Sequence, residues 1–150
     1  MKQVLFLSLS VGVLLLLVAC NGGSQPGNYN TSADPAVAAK ADALFTALQQ
    51  GDYDAALAQY DEGFFQGRSR AQWRTRLQTV LAERGPLREW HLRRSQADTR
   101  FSGKFFIYEY ETVHDGNKRL HHLMTFLWPV DDKQLKLMGH KITPWQVGEE

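Results

Sequence analysis

The chain has 150 residues and a formal charge of +1. Setting aside its N-terminal apolar run and polar linker leaves about 115 residues, enough for one domain around one core. Without residues 1–19, which include Lys2, sixteen basic side chains stand against sixteen acidic ones, which excludes a globally basic nucleic-acid binder. The lone cysteine, Cys20, excludes internal disulfides, Cys-based zinc sites and thiol catalysis in the folded part.

Lys2 precedes an apolar run from Val4 to Ala19. It is shorter than the ~20 residues that span a bilayer core, and no stop-transfer charge follows, so residues 1–19 read as a cleaved signal peptide. The closing Leu17-Val18-Ala19-Cys20 resembles the bacterial lipobox. That resemblance implies cleavage before Cys20 and two or three acyl chains, palmitate among them, on the new N-terminus, which hold a protein permanently on a membrane. In enteric-type bacteria Asp after the cysteine retains a lipoprotein on the inner membrane. Asn21 here points instead to the outer membrane, facing the periplasm. The expected location is therefore the bacterial cell envelope. Asn21 to Asp34, rich in Gly, Ser, Asn and Pro, makes residues 20–34 a lipidated flexible tether spanning roughly 20 Å.

Asp34-Pro35 is an N-cap followed by the residue best tolerated at the first helical position. Val37, Ala41, Leu44, Phe45 and Leu48 then recur at helical spacing up to Gly51. Asp52 caps a second, shorter helix with Ala56, Leu57 and Tyr60 on one face, closed by Gly63. Ser69 and Gln72 form a capping box for a third, in which Trp73, Leu77, Val80, Leu81 and Arg84 mark a stripe that ends at Gly85-Pro86. The period then becomes alternating. Strands are expected from Trp90 to about Arg100, Phe105 to His114, Leu120 to Trp128 and Gln134 to Thr143. Turns at Asp115-Gly116-Asn117 and Asp131-Asp132-Lys133 separate the last three. Helices followed by strands imply an α+β fold: three N-terminal helices packed on a curved four-stranded antiparallel sheet.

This order, with Gly51-Asp52-Tyr53, Trp73, Gly85-Pro86-Leu87 and the final strand Leu135 to Ile142, resembles the nuclear-transport-factor-2-like superfamily of cystatin-like α+β rolls, in particular small exported bacterial domains of unknown function. The resemblance implies one such domain over residues 35–145, with 146–150 as a C-terminal tail. Both faces of the central hairpin are apolar near one end. A three-residue turn puts Phe106, Tyr108 and Tyr110 with Leu120, His122, Met124, Phe126 and Trp128, and leaves Phe105, Ile107, Leu123 and Leu127 on the reverse; a two-residue turn swaps the partners and leaves both faces apolar. One face packs the helices, and the second is left to a homodimer partner, another envelope protein, the tether or nothing; the superfamily's habit of pairing implies the homodimer.

Tyr60, Trp73, Tyr108, Tyr110 and His122, with Glu109, are the residues that would line a cone between helices and sheet, where several enzymes of this superfamily hold an acid–base group. Tyr and His on a core face are more often structural, and Glu109 with Glu111 reads as a solvated face. The five histidines show no chelating spacing, since His121 and His122 point to opposite faces and His91, His114 and His140 fall on different strands, so no metal is expected. No Walker loop, Rossmann fingerprint or nucleophile elbow appears, and no cofactor is expected. Residues 63–104 carry net +7 against net −5 for 34–62. That block fits an anionic surface, or simply pairs with the acidic first helices. The function expected is a non-enzymatic binding or assembly role through the cone or sheet face of a lipid-anchored protein. The alternative is a small-molecule enzyme of isomerase, dehydratase or hydrolase type. A cone with room for a ligand favours the enzyme, and a cone plugged by rings favours binding or assembly.

Overall fold

Three helices and four strands follow one another in chain order in the computed structural model, which describes residues 32–146. Cys20, the signal peptide, most of the tether and residues 147–150 lie outside that range. Among the described residues no helix is long and apolar enough to cross a membrane.

Helix α1, Pro35–Gln50, starts where the Asp34 carboxylate accepts from the Ala36 N–H, and stops at Gly51, whose φ of 72° is the left-handed geometry of a helix end. Its apolar stripe is buried through Val37, Ala41, Leu44, Phe45 and Leu48. The second helix is shorter than its sequence pattern. α2 covers only Tyr53–Leu57, and a 3-10 turn at Glu62–Phe65 takes up Gly63. The cause is tertiary: Tyr60 leaves the helix to bridge Leu137, and the Asp61 N–H donates to the Leu137 carbonyl at 3.1 Å, bonds that a continuing helix would forfeit. α3, Arg70–Arg84, has both halves of the Ser69/Gln72 capping box and ends at Gly85.

The strands β1 (Leu87–Arg100), β2 (Gly103–His114), β3 (Lys118–Pro129) and β4 (Lys136–Pro144) pair antiparallel in the order β1-β2-β3-β4. The β2–β3 turn has three residues, with Gly116 and Asn117 at φ 69° and 57°. It sets Tyr110 opposite His122 and Tyr108 opposite Met124, so Phe106, Tyr108, Tyr110, His122, Met124 and Phe126 share the face toward the helices. Two bulges change which residues point inward. In β1 the slip between Leu92 and Arg94 moves the inward set from Trp90 and Leu92 to Ser95 and Ala97. In β4 the slip at Met138 turns both Leu137 and His140 inward. The core lies between this face and the helices, where burying each Leu or Phe contributes about 2 kcal/mol.

Two arginines of the basic block pair with the acidic helices. Arg70 bonds Glu62 and Arg74 bonds Asp54. Arg68 lies over the Phe64 and Trp73 rings, at 4.3 and 5.6 Å from their centroids. Exposed pairs of this kind each add less than about 1 kcal/mol.

Candidate functional site

A chain of hydrogen bonds runs through the interior between sheet and helices. The Tyr60 hydroxyl lies 2.6 Å from His140 Nδ1, and His140 Nε2 lies 2.9 Å from His122 Nδ1. His122 Nε2 is 3.0 Å from Thr112 Oγ1, which is 3.1 Å from His114 Nε2, and His114 Nδ1 reaches the Gly85 carbonyl at 2.9 Å. All five side chains are buried.

The carbonyl at one end fixes every proton. Gly85 O only accepts, so His114 carries its hydrogen on Nδ1 and accepts at Nε2. Thr112, with one hydrogen, donates to His114 and accepts from His122 Nε2–H. His122 Nδ1 is then an acceptor and takes the Nε2–H of His140. His140 Nδ1 accepts the Tyr60 hydroxyl. The chain runs one way, from Tyr60 to Gly85, with every ring neutral. Burial pushes the histidines below the ordinary imidazole value: His114 moderately, His122 far, and His140 to about 3. His140 and His114 lower His122 further, and Arg68 lowers His140. Burial also raises the Tyr60 hydroxyl.

Rings fill the rest. Phe45 of α1 meets His122 edge-on with centroids 5.3 Å apart, and Trp73 meets His140 at 5.7 Å. The Trp73 indole N–H is buried beside the Tyr60 hydroxyl without the geometry of a formed bond. A cavity of about 10 Å³ touches Thr112, His114 and His122, room for at most one water. Tyr110 and Tyr108 continue the inward face away from this cluster. The Tyr108 hydroxyl accepts the Asp34 N–H at 2.6 Å, which seats the start of the described chain on the sheet. Burial raises both phenols, most strongly Tyr110.

Tyr60, Trp73 and His122 thus stand in one cluster, with Tyr108 and Tyr110 further along the same face. Glu109 is not in the cone but on the opposite face of the sheet. Three of the histidines read in the sequence as separate, His114, His122 and His140, are brought together because β2, β3 and β4 are neighbours, whereas His91 and His121 stay outside the cluster. His122, Thr112 and His114 follow from the hairpin register alone. His140 does not, since only the β4 bulge turns it inward. Among the described residues no group of three His, Cys, Asp or Glu side chains is placed to hold a metal ion.

The outer face is half ionic and half apolar. Glu109 and Glu111 share it, but Glu111 is not solvated: it is fully buried under two arginines. Arg93 Nε bonds its Oε2 at 2.7 Å, and Arg119 Nη1 stands 2.8 Å from its Oε1 as an ion pair off hydrogen-bond geometry. Trp145 covers this pair, 5.8 Å from the Arg93 guanidinium and 6.0 Å from the His121 ring. Glu109 contacts Arg94 at 3.4 Å and His121 at 3.2 Å. Beyond them lie Phe105, Leu123 and Leu127, half-buried, and Ile107, exposed, with no described element over them.

These features define the class, an α+β domain of three helices on one face of a four-stranded antiparallel sheet. No protein-family profile and no curated protein matches the sequence. Among solved structures it is similar to Bd1075 of Bdellovibrio bacteriovorus, with a TM-score of 0.51 and 14% identity over 74% of this chain; it spans 40% of the length of that one. A putative dehydratase of the NTF2-like family from Streptomyces avermitilis aligns at a TM-score of 0.49 and 11% identity, over 75% of this chain and 95% of that one.

Proposed function

We propose that this chain is a lipid-anchored cell-envelope protein that binds rather than catalyses, through the outer face of its cystatin-like roll. The observation that carries the reading is the close packing around His122; a more open pocket of about 200 Å³ lies further along the same face, beside Asp34, Lys104, Phe106 and Tyr108 and away from the histidines. An acid–base enzyme needs a substrate beside its tuned group, and the space beside His122 is about 10 Å³. The histidines there already spend their donors and acceptors on one another. The outer sheet face, in contrast, offers an apolar centre of Ile107, Phe105, Leu123 and Leu127 rimmed by charge, the layout of a protein–protein contact. A second copy of the chain is the occupant that would satisfy this face with its own composition.

Sedimentation of residues 21–150 at micromolar concentration is the test. A dimer that Ile107→Glu converts to monomer is expected, because the substitution puts an unpaired charge at the centre of the contact. A monomeric parent protein would sink the sheet-face pairing. The anchor rests on the lipobox resemblance, and mass spectrometry of the native protein should find Cys20 acylated at the N-terminus. A free thiol, or residues 1–19 still attached, would remove the envelope assignment.

A further inference from the structure

The large apolar side chains most open to water among the described residues are Phe101, Val130, Trp128 and Ile107, and three of these four gather at one end of the sheet. Phe101 and Ser102 form the two-residue turn between β1 and β2, since Arg100 pairs with Gly103. Gly103 pairs in turn with Pro129 and Lys104 with Trp128, and the Val130 N–H donates to the Ser102 carbonyl at 3.3 Å. The turn is thus joined to the end of β3, and closely. At Gly103, with φ 142°, a Cβ would stand 2.2 Å from the Trp128 carbonyl oxygen. Held in this way, Phe101 is fully exposed, Val130 is 69% exposed and Trp128 37%. A backbone this tightly joined keeps apolar surface in water where folding gains nothing from it.

Charge around this end is nearly balanced. Arg100, Lys104, Lys133 and Lys136 stand against Asp98, Asp131 and Asp132. Arg100 bonds Asp98 at 2.8 Å and Lys136 bonds Asp132 at 3.1 Å, while Lys104 lies over the Phe106 ring at 4.9 Å. An exposed Phe and Val beside a Trp, with little net charge, suit the boundary between lipid headgroups and acyl chains better than a charged partner.

The described chain also begins on this half of the sheet. The Ser32 carbonyl accepts from Ser95 Oγ at 3.0 Å, and Ser32 and Asp34 share a hollow with Ala97, Lys104 and Phe106. From there α1 runs toward the opposite end, where Gln49 bonds the Arg88 carbonyl. Phe101 is six residues beyond Ser95, about 20 Å along the strand. Cys20 is twelve residues before Ser32, at most about 40 Å of chain. A Cys20 fixed in a bilayer therefore leaves this end within reach of the surface. Attachment makes the contact intramolecular, so a small patch is enough.

We propose that the β1–β2 turn and the end of β3 are a membrane-contact tip: Phe101, Trp128 and Val130 seat in the interface of the bilayer that carries the Cys20 lipid. This rests on the anchored reading of Cys20 and adds an orientation to it. The strands stand on the membrane, and the outer sheet face turns sideways toward a neighbour in the same bilayer.

The test couples residues 20–150 through the Cys20 thiol to a maleimide lipid in phosphatidylcholine nanodiscs that contain a nitroxide-bearing lipid, with 5-fluorotryptophan in place of tryptophan. Attachment is then supplied chemically, so the tip is judged apart from the native state of Cys20, which mass spectrometry reads. The Trp128 19F resonance is expected to broaden, and to do so equally at high salt. Trp90, opposite Thr112, and Trp145, bonded to the Arg119 carbonyl, lie at the other end and should stay sharp. Phe101→Asp changes a fully exposed side chain and should lower the contact equilibrium about tenfold, which sharpens Trp128. The tip is overturned if Trp128 broadens no more than Trp90 and Trp145, which would leave this end to a protein partner. It is overturned equally if Phe101→Asp leaves the broadening unchanged, or if salt abolishes it.

Discussion

The Tyr60 hydroxyl donates to His140 Nδ1 and lies beside the buried Trp73 N–H without a formed bond to it. Removing its oxygen leaves an imidazole acceptor with no partner where water has little access. Tyr60→Phe should therefore cost roughly 1–3 kcal/mol, read as a lower urea midpoint at unchanged slope. A loss below a few tenths of a kcal/mol would mean that the bond is not formed in solution. Glu111 makes the opposite point. Alternation correctly placed it on the outer face, yet two arginines and Trp145 bury it there. Which long side chains fold over a carboxylate is decided by neighbours that come from other strands.

Among the elements, the helix ends were legible because capping is local. Asp34, Asp52 and Ser69 each bond an N–H within three residues, and no distant atom is needed to predict that. Ser69→Ala should destabilise the fold by about 1 kcal/mol, since it opens the capping box. Arg74→Ala, which removes only an exposed pair with Asp54, should stay within about 0.5 kcal/mol. A larger effect of the arginine in parallel urea titrations would reverse this ranking of local over surface electrostatics. The second helix shows the limit of local signals. Asp52 announces its start, but its end is set by β4, about eighty residues on, which captures Tyr60 by backbone and side chain together.

For the whole molecule, three neutral histidines tie stability to pH. In the folded chain they resist protonation, whereas in the unfolded chain they titrate near 6.5. Between that value and about 3 for His140, the unfolded state binds more protons, so stability is complete above the window and is lost as pH falls through it. Each histidine held neutral should weaken folding about tenfold per pH unit there. Urea midpoints that stay flat from pH 7 to 5 would contradict the buried neutral chain. The same packing that carries this liability leaves only about 10 Å³ beside His122, so acid sensitivity and the tight packing there have one structural origin.

The amino-acid order by itself determined the succession of helices and strands, the three caps, the place of the hairpin turn and the alternation within β2 and β3, because all of these depend on spacing along the chain; the three-residue length of the turn, and with it the partners across the hairpin, came from the structure. It also carried the expectations for Cys20 and the tether, which rest on a resemblance in the N-terminal segment. Only the tertiary structure decided that His114, His122 and His140 converge, that α2 stops early, and that little space is left beside His122. A bulge of one residue in β4 reverses which side chains face inward, and strand adjacency makes neighbours of positions far apart in sequence; neither leaves a periodic trace in the order of residues.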